Sequence, residues 1–274
     1  MSWFKNPIAA FSRLSAREKF HPTWISIFIN PVYIVRSRLL RAIAKGAPQL
    51  EGRLLDFGCG AKPYRELFAT NEYVGVDVEV SGHNHEGESI DVYYDGRTLP
   101  FESESFDSVF SSEVFEHVFN IDEILGELWR VLKPGGTGLF TVPFIWDEHE
   151  VPYDYGRYSS YGLTSLLRRH GFAVVELEKT TNYVETIVQM VNVYIWQRIL
   201  PKNRVFRRLG ITFLCAPITL VGLVLGRLLP KDDGFFHNNV ALVRKVQPLD
   251  PVPIHPTLPP TGKASENTSA STDG

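Results

Sequence analysis

The chain is poor in sulfur. Its 274 residues hold two cysteines and two methionines. Cys59 lies in a glycine turn and Cys215 in an apolar run, so a disulfide framework is excluded and a reducing cytoplasm fits. Met1 to Lys19 lacks the apolar core and small-residue cleavage site of a secretory signal peptide. The longest uncharged run, Leu209 to Gly226, falls short of the roughly 20 residues that span a bilayer. Neither sign of charge dominates the whole, with a net of −3. No basic cluster interleaved with aromatics appears on a polar face, which argues against a nucleic-acid partner.

What charge there is has been sorted along the chain. Residues 1–48 carry a net +7, residues 49–179 a net −14, residues 180–247 a net +6 and the remainder −2. Both basic flanks are also apolar, a combination that suits a membrane surface. Residues 22–35 are uncharged and lead into Arg36, Arg38, Arg41 and Lys45 on a helical pattern. This pattern predicts a helix interrupted near Pro31 and stopped at Gly46-Ala47-Pro48.

From residue 53 strands and helices alternate. Short apolar runs at 53–57, 73–77, 90–94, 106–110, 138–142, 172–177 and 239–243 read as strands. Ile121, Ile124, Leu125, Leu128 and Leu132 form one stripe of a helix, with Asn120 and Glu123 as a capping box. A second helix runs from Thr164 to His170. Such alternation predicts an α/β fold with a largely parallel sheet. The division expected is an N-terminal helical segment over 1–48, a core over 49–180 plus 236–247, an apolar helical insertion over 181–235 and a disordered tail over 248–274.

The informative turn is Asp56-Phe57-Gly58-Cys59-Gly60-Ala61-Lys62-Pro63. Glycines after a strand let a ligand approach the backbone. Asp77 ends the next strand, 19 positions after Gly58, where an acid can hold ribose hydroxyls. Asp95-Gly96 ends the third, where an acid and an amide can meet an adenine edge. The dinucleotide fingerprint needs a small residue at position 63, and this chain has proline there. The ligand expected therefore has ribose and adenine but no pyrophosphate.

These motifs, with LLDFGCG (54–60), VGVD (74–77), YDGRTLPF (94–101), FDSVFSSEVFEHV (106–118) and ELWRVLKPGGTGLFTVP (127–143), resemble the class I S-adenosylmethionine-dependent methyltransferases, especially the type 11 group. The resemblance covers roughly residues 50–180 and the last strand. It implies a Rossmann-like seven-stranded sheet whose last strand is antiparallel. It also implies that Asp56, Gly58, Cys59 and Gly60 line the methionine end of S-adenosyl-L-methionine, that Asp77 holds the ribose and Asp95 with Gly96 the adenine, and that Ser112 and Glu113 form the far wall. A cationic sulfonium suits the acidic middle of the chain. A second stretch, His149-Glu150-Val151-Pro152-Tyr153-Asp154-Tyr155-Gly156-Arg157-Tyr158, resembles a signature associated with saccharide or cell-envelope pathways.

That stretch follows the fifth strand, on the side where an acceptor would meet the methyl group. The expected acceptor is a small molecule, a saccharide or a lipid-linked compound, methylated on oxygen. An oxygen acceptor must lose its proton, and His149 is the first candidate base, with Asp154 the second. Tyr153, Arg157 and Tyr158 are the candidate substrate contacts. His117 is as much a pocket-closing residue as a catalytic one. Asp147-Glu148-His149 has no second histidine at ligand spacing, so no metal is expected. The insertion reads as an interfacial helical hairpin, with a homodimer interface, a pocket cover or a true span as the other readings. Residues 22–45 and 187–229 are the expected membrane-facing segments of a peripheral, cytoplasmic protein. Two other functions remain open: a nicotinamide oxidoreductase, which Pro63 and the lack of a Tyr-x-x-x-Lys pair oppose, and a non-catalytic module that binds the same cofactor.

Overall fold

The computed structural model describes residues 17–79 and 89–246. The tail from Pro248 lies outside them. Seven strands form one sheet: β1 (Arg53–Phe57), β2 (Glu72–Val78), β3 (Val92–Tyr94), β4 (Phe106–Ser112), β5 (Leu132–Pro143), β6 (Phe172–Lys179) and β7 (Asn238–Lys245). Their order is β3-β2-β1-β4-β5-β7-β6. The strands from β3 to β5 pair in parallel, and β7 lies antiparallel between β5 and β6. The expected antiparallel last strand is present.

Successive residues of a strand point to opposite faces, and here both faces are covered. Leu54, Phe110, Leu139 and Val240 pack with α2 (Tyr33–Gly46) through Leu39, Ala42 and Ile43. Their chain neighbours Leu55, Val109, Phe140 and Ala241 pack the other way. There they meet α3 (Ile121–Val131) and α4 (Ser160–Arg169) through Ile124, Leu128, Leu163 and Leu167. The stripe expected for α3 is buried as far as Leu128, while Leu132 already starts β5. The Asn120 carbonyl accepts the amides of Glu123 (3.0 Å) and Ile124 (3.2 Å), but its side chain caps no helix amide. Its side-chain amide donates instead to Glu123 (2.8 Å) and to the Gly96 carbonyl (3.1 Å), tying the helix start to the turn after β3. The chain leaves β1 towards β2 on one side and returns to β4 on the other. That reversal opens a crevice at the carboxyl ends of the strands.

The N-terminal helix is broken at Pro31 as expected, with α1 (Ser26–Ile29) preceding α2. The membrane-facing reading of residues 22–45 does not hold for α2. Ile34, Val35, Leu39, Ala42 and Ile43 are buried. Of this segment only Trp24 (71% exposed) and Phe28 present large apolar side chains to the outside. The reason is a partner remote in sequence. The insertion contains α5 (Tyr183–Tyr194), a π turn, and α6 (Arg204–Leu228). Glu185 of α5 forms an ion pair with Arg38. Gln189 is fully buried: its oxygen accepts the first helical amides of α2, from Ile34 (3.1 Å) and Val35 (3.3 Å), and its amide donates to the Pro31 carbonyl (2.9 Å). A side chain from another helix thus serves the N-terminal N–H groups that α2 cannot satisfy itself.

The insertion inverts the usual polarity of a surface helix. The buried face of α5 is Glu185, Thr186, Gln189, Asn192 and Val193, while Ile187, Val191 and Tyr194 are exposed. In α6 the inward residues are small, Thr219, Gly222 and Gly226, and Asn192 donates to Thr219 at 2.8 Å. Its outward residues include Phe206, Phe213 (74% exposed), Val221, Val224 and Leu228 (76%).

Replacing Gln189 with leucine leaves two buried amides and one carbonyl unserved. The expected loss is about 1–3 kcal/mol, read by denaturant titration. An unchanged unfolding midpoint would mean that these bonds add nothing to the docking of α2.

Candidate active site

The glycine turn after β1 is pinned to β2, because the amides of Gly58 (2.9 Å) and Cys59 (3.2 Å) both donate to the Val76 carbonyl. Gly58 has φ +69°, and a Cβ there would lie 2.4 Å from Val114. Position 58 therefore serves the fold as well as any ligand, and a larger residue there disturbs both. The Asp77 carboxylate accepts the Gly60 amide at 2.9 Å and so holds the far end of the turn.

Two adjoining cavities open over this turn. The first, of about 500 Å³, is bounded by Asp56, Cys59, Ser112 and Asn238 at the strand ends and by Trp146 and His149 from the loop after β5. Lys19, Phe20 and Arg36 of the N-terminal segment close its other side. The second, of about 290 Å³, is bounded by Asp77, Val78, Tyr94 and Gly96, and by Phe119 and Tyr155, whose rings lie 5.3 Å apart. Gly58, Gly60, Glu113, His117 and Glu150 line both and mark the junction.

Carboxyl groups stand at the base of the junction and of the first cavity. Burial raises the Asp56 carboxyl to about 7, against the opposing effect of the Tyr73 hydroxyl, which donates to it at 2.5 Å. Glu113 sits at φ +56° and accepts from Thr141 (2.8 Å) and Asn238 (2.6 Å). Its carboxyl is also raised, chiefly by burial. Glu116 is wholly buried, and neither of its carboxylate oxygens has a hydrogen-bond partner. Burial, then the nearby Glu113, lifts it well above its usual range. The Cys59 thiol is also raised by burial, so it stays neutral and is a packing residue of the turn.

Most of the expected cofactor residues converge here. Asp56, Gly58, Cys59, Gly60, Ser112 and Glu113 line the first cavity, and Asp77 and Gly96 the second. Asp95 does not line either. It is exposed, and its carboxylate accepts the amides of Thr98 (2.8 Å) and Arg97 (2.9 Å), which closes its own turn. On the acceptor side His149 faces the first cavity and Tyr153 the second. Asp154, Arg157 and Tyr158 line neither cavity. Burial opposes the charge of Asp154, yet two bonds from Arg157 and one from the His149 amide hold its carboxyl below the ordinary value. Asp154 is thus placed as a prop for His149, whose Nδ1 lies 3.3 Å away, rather than as a base. Tyr158 packs against the core.

Sequence reasoning passed over Glu116, Trp146, Asn238 and the wall made by Lys19, Phe20 and Arg36. Glu116 stands inside the EVFEHV motif, so its position was visible but its burial was not. The loop over the site is fastened to that motif. The Glu116 carbonyl accepts the amides of Tyr155 (2.7 Å) and Gly156 (3.2 Å), and His117 Nδ1 pairs with the Tyr153 carbonyl at 2.8 Å.

A methyltransferase-domain family model matches residues 55–140. The sterol 24-C-methyltransferase of Schizosaccharomyces pombe is 35% identical over 97 residues, covering 31% of this chain and 26% of that protein. The rat mitochondrial ubiquinone biosynthesis O-methyltransferase is 32% identical over 132 residues, covering 40% and 37%. A Haloferax volcanii protein solved with the Trm112 methyltransferase activator shares the fold with a TM-score of 0.51, at 20% identity over 87% of this chain and 96% of that one. Residues 55–140 thus match a methyltransferase domain, and the fold around them is shared with that solved protein. The chain spans about a quarter to three fifths of the length of the curated relatives it matches.

The residues of this methyltransferase domain fit its cofactor, S-adenosylmethionine. The glycine turn leaves space for a ligand across the junction. Asp77 borders the cavity walled by Tyr94, Phe119 and Tyr155, which suits a ribose beside a flat base. Asp56 lies at the base of the other cavity, where an ammonium group gains a buried carboxylate.

A cationic ligand stabilises ionised Asp56. Because its carboxyl is raised in the free protein, binding must release its proton at lower pH. Cofactor affinity is therefore expected to rise as pH climbs through about 7. Asp56→Asn should bind weakly with a flat profile in calorimetry. A parent protein whose affinity is level across that range removes Asp56 from the ammonium contact.

Proposed function

We propose that this protein transfers a methyl group from S-adenosylmethionine to an oxygen of a lipid-soluble or lipid-linked acceptor at a membrane surface. The observation that carries this reading is the inverted hairpin, joined to the helix that walls the acceptor cavity. Val35 and Arg36 of α2 line that cavity, and Gln189 of the hairpin holds the backbone of the same turn. Two of the relatives are named for sterol and ubiquinone, both lipids, which is in keeping with such an acceptor.

The cofactor, when bound, supplies a methyl group on an electron-poor sulfonium. The protein's own work is alignment and proton removal. Asp56 and Asp77 fix the two ends of the cofactor, and the glycine turn admits it without a side chain in the way. Displacement at carbon is sensitive to alignment, so a rigid strand-end scaffold contributes much of the rate. The acceptor enters the first cavity beside His149. Asp154, itself clamped by Arg157, orients the imidazole so that it can take the acceptor's proton.

The hairpin lies along the bilayer interface rather than across the membrane. Residues 179 and 238, which bound it, are neighbours on β6 and β7, so the insertion must leave and return at one edge of the sheet. Arg198, Lys202, Arg204, Arg207 and Arg208 cluster about its tip. End-on insertion would carry that tip into hydrocarbon. Lying flat places the exposed Phe, Leu and Val side chains in the acyl boundary and the arginines among anionic headgroups.

Two measurements test this function. His149→Ala is expected to lower turnover by roughly 10²–10⁴-fold while cofactor affinity changes little. A loss below about threefold would leave His149 with a structural role only. The protein should also co-sediment with anionic liposomes, less so as salt rises. The combined change of Arg204, Arg207 and Arg208 to glutamate should reduce binding, at about 1 kcal/mol for each basic residue. Recovery wholly in the supernatant would instead assign the apolar face to a second copy of the chain, visible as a dimer by light scattering.

A further inference from the structure

We propose that Glu116, His117 and His149 hold a divalent transition-metal ion at the junction of the two cavities. The ligands come from two separate segments. A short turn over Phe115–His117, just after β4, presents the first two, and the loop after β5 brings the third. Their donor atoms all lie within 4.8 Å of one another, and the rings of His117 and His149 meet edge to face with centroids 4.7 Å apart.

The geometry within the cluster points to a cation. His117 Nδ1 pairs with the Tyr153 carbonyl, which can only accept, so in the neutral ring the proton is on Nδ1 and Nε2 carries the lone pair. That Nε2 lies 3.8 Å from Glu116 Oε1 and 3.9 Å from Glu150 Oε2. These separations exceed a hydrogen bond. They fall between the about 3 Å of adjacent and the about 4.2 Å of opposite donors that lie about 2.1 Å from one ion. Glu116 supplies a second, independent sign. It is wholly buried with neither oxygen partnered, and its nearest imidazole offers a lone pair rather than a proton. An ion between them satisfies both.

The surroundings complete the pattern seen around metal-binding histidines. Each ring has a carbonyl oxygen at its Nδ1, that of Tyr153 for His117 and that of Asp147 for His149, while Asp154, fixed by Arg157, accepts the His149 backbone amide. Such contacts orient the rings and leave Nε2 for the metal. Two imidazoles and a carboxylate favour zinc, iron, cobalt or manganese over calcium or magnesium. Three protein ligands leave positions open, as in catalytic rather than structural sites. The sequence reading expected no metal, because the ligands are not at local spacing.

Open positions facing the acceptor cavity would favour the ionised form of an acceptor hydroxyl. That role rests on the methyl-transfer reading, whereas the binding itself does not. His149 then serves as a ligand in place of the base role given above, the hydroxyl proton passes to solvent water, and the turnover loss in His149→Ala is common to both roles.

Metal titration separates them. The full chain, stripped with a chelator, is titrated with Zn²⁺ by calorimetry and with Co²⁺ by visible absorption. One equivalent should bind, with cobalt bands of nitrogen and oxygen ligation. Glu116→Gln and His149→Ala should each weaken binding by at least about tenfold, and Asp154→Asn by less. Zn²⁺ should raise the melting temperature of the parent and not of these variants. His149 lies on a surface loop, so a folded His149→Ala protein that binds Zn²⁺ as tightly as the parent overturns the site. So does a parent with no stoichiometric uptake. Titrating the same samples with S-adenosylmethionine keeps the two failures apart, since loss of cofactor binding alone would count against the methyltransferase reading and not against the metal.

Discussion

Buried carboxyl groups at the carboxyl ends of the strands are the constraint on which this molecule is built. Asp56, Asp77 and Glu116 are all almost wholly shielded from water, and Glu113 joins them at the junction of the cavities. Carboxylates in such a place are costly unless they are neutralised or paired. The protein supplies only part of what they need. Tyr73 serves Asp56, the turn amides serve Asp77, and Thr141 with Asn238 serve Glu113. The remaining deficit sits along the path where a sulfonium and an ammonium group would lie, and at Glu116.

A second inversion follows from the hairpin. In a water-soluble helix the apolar stripe turns inward. Here Asn192, Thr186, Thr219 and two glycines turn inward, and valine, leucine and phenylalanine turn outward. Small residues let α5 and α6 approach closely, and Asn192 binds across the gap to Thr219. This is the packing used where the surroundings are as apolar as the side chains themselves. On the proposed membrane reading, the charge pattern around the tip favours lying on the bilayer over entering it.

Much of the fold was legible because its signals are local. The pairs Leu54–Leu55 and Phe140–Thr141 lie in short apolar runs ended by glycine or proline, and each became a strand. The stripe of α3 is a matter of period alone. Other features depend on partners that the sequence cannot bring together. Arg38 looked like part of a basic membrane face because Glu185 lies 147 positions away. Asp95 had the right place for an adenine contact, yet two amides of its own turn claimed the carboxylate first. Gly58 was expected to make room for a ligand, and the neighbour that most restricts it is Val114. Glu116 was quoted within a motif and passed over, since burial without a partner is a property of three dimensions only.

The N-terminal segment ties these parts into one device. Arg36 and Val35 face the acceptor cavity, Arg38 and the amide of Val35 face the hairpin, and both sets lie on one turn of α2. A helix so held cannot shift its cavity face without disturbing Gln189 or Glu185. Were the hairpin to meet a lipid surface as proposed, that contact would bear mechanically on the wall of the first cavity. The polar inner face of α5 is what makes that link stiff, because buried hydrogen bonds fix register where apolar contacts would allow sliding. An acceptor entering from the bilayer would meet the arrangement at its most constrained point, where the helix wall, the loop bearing His149 and the strand ends converge.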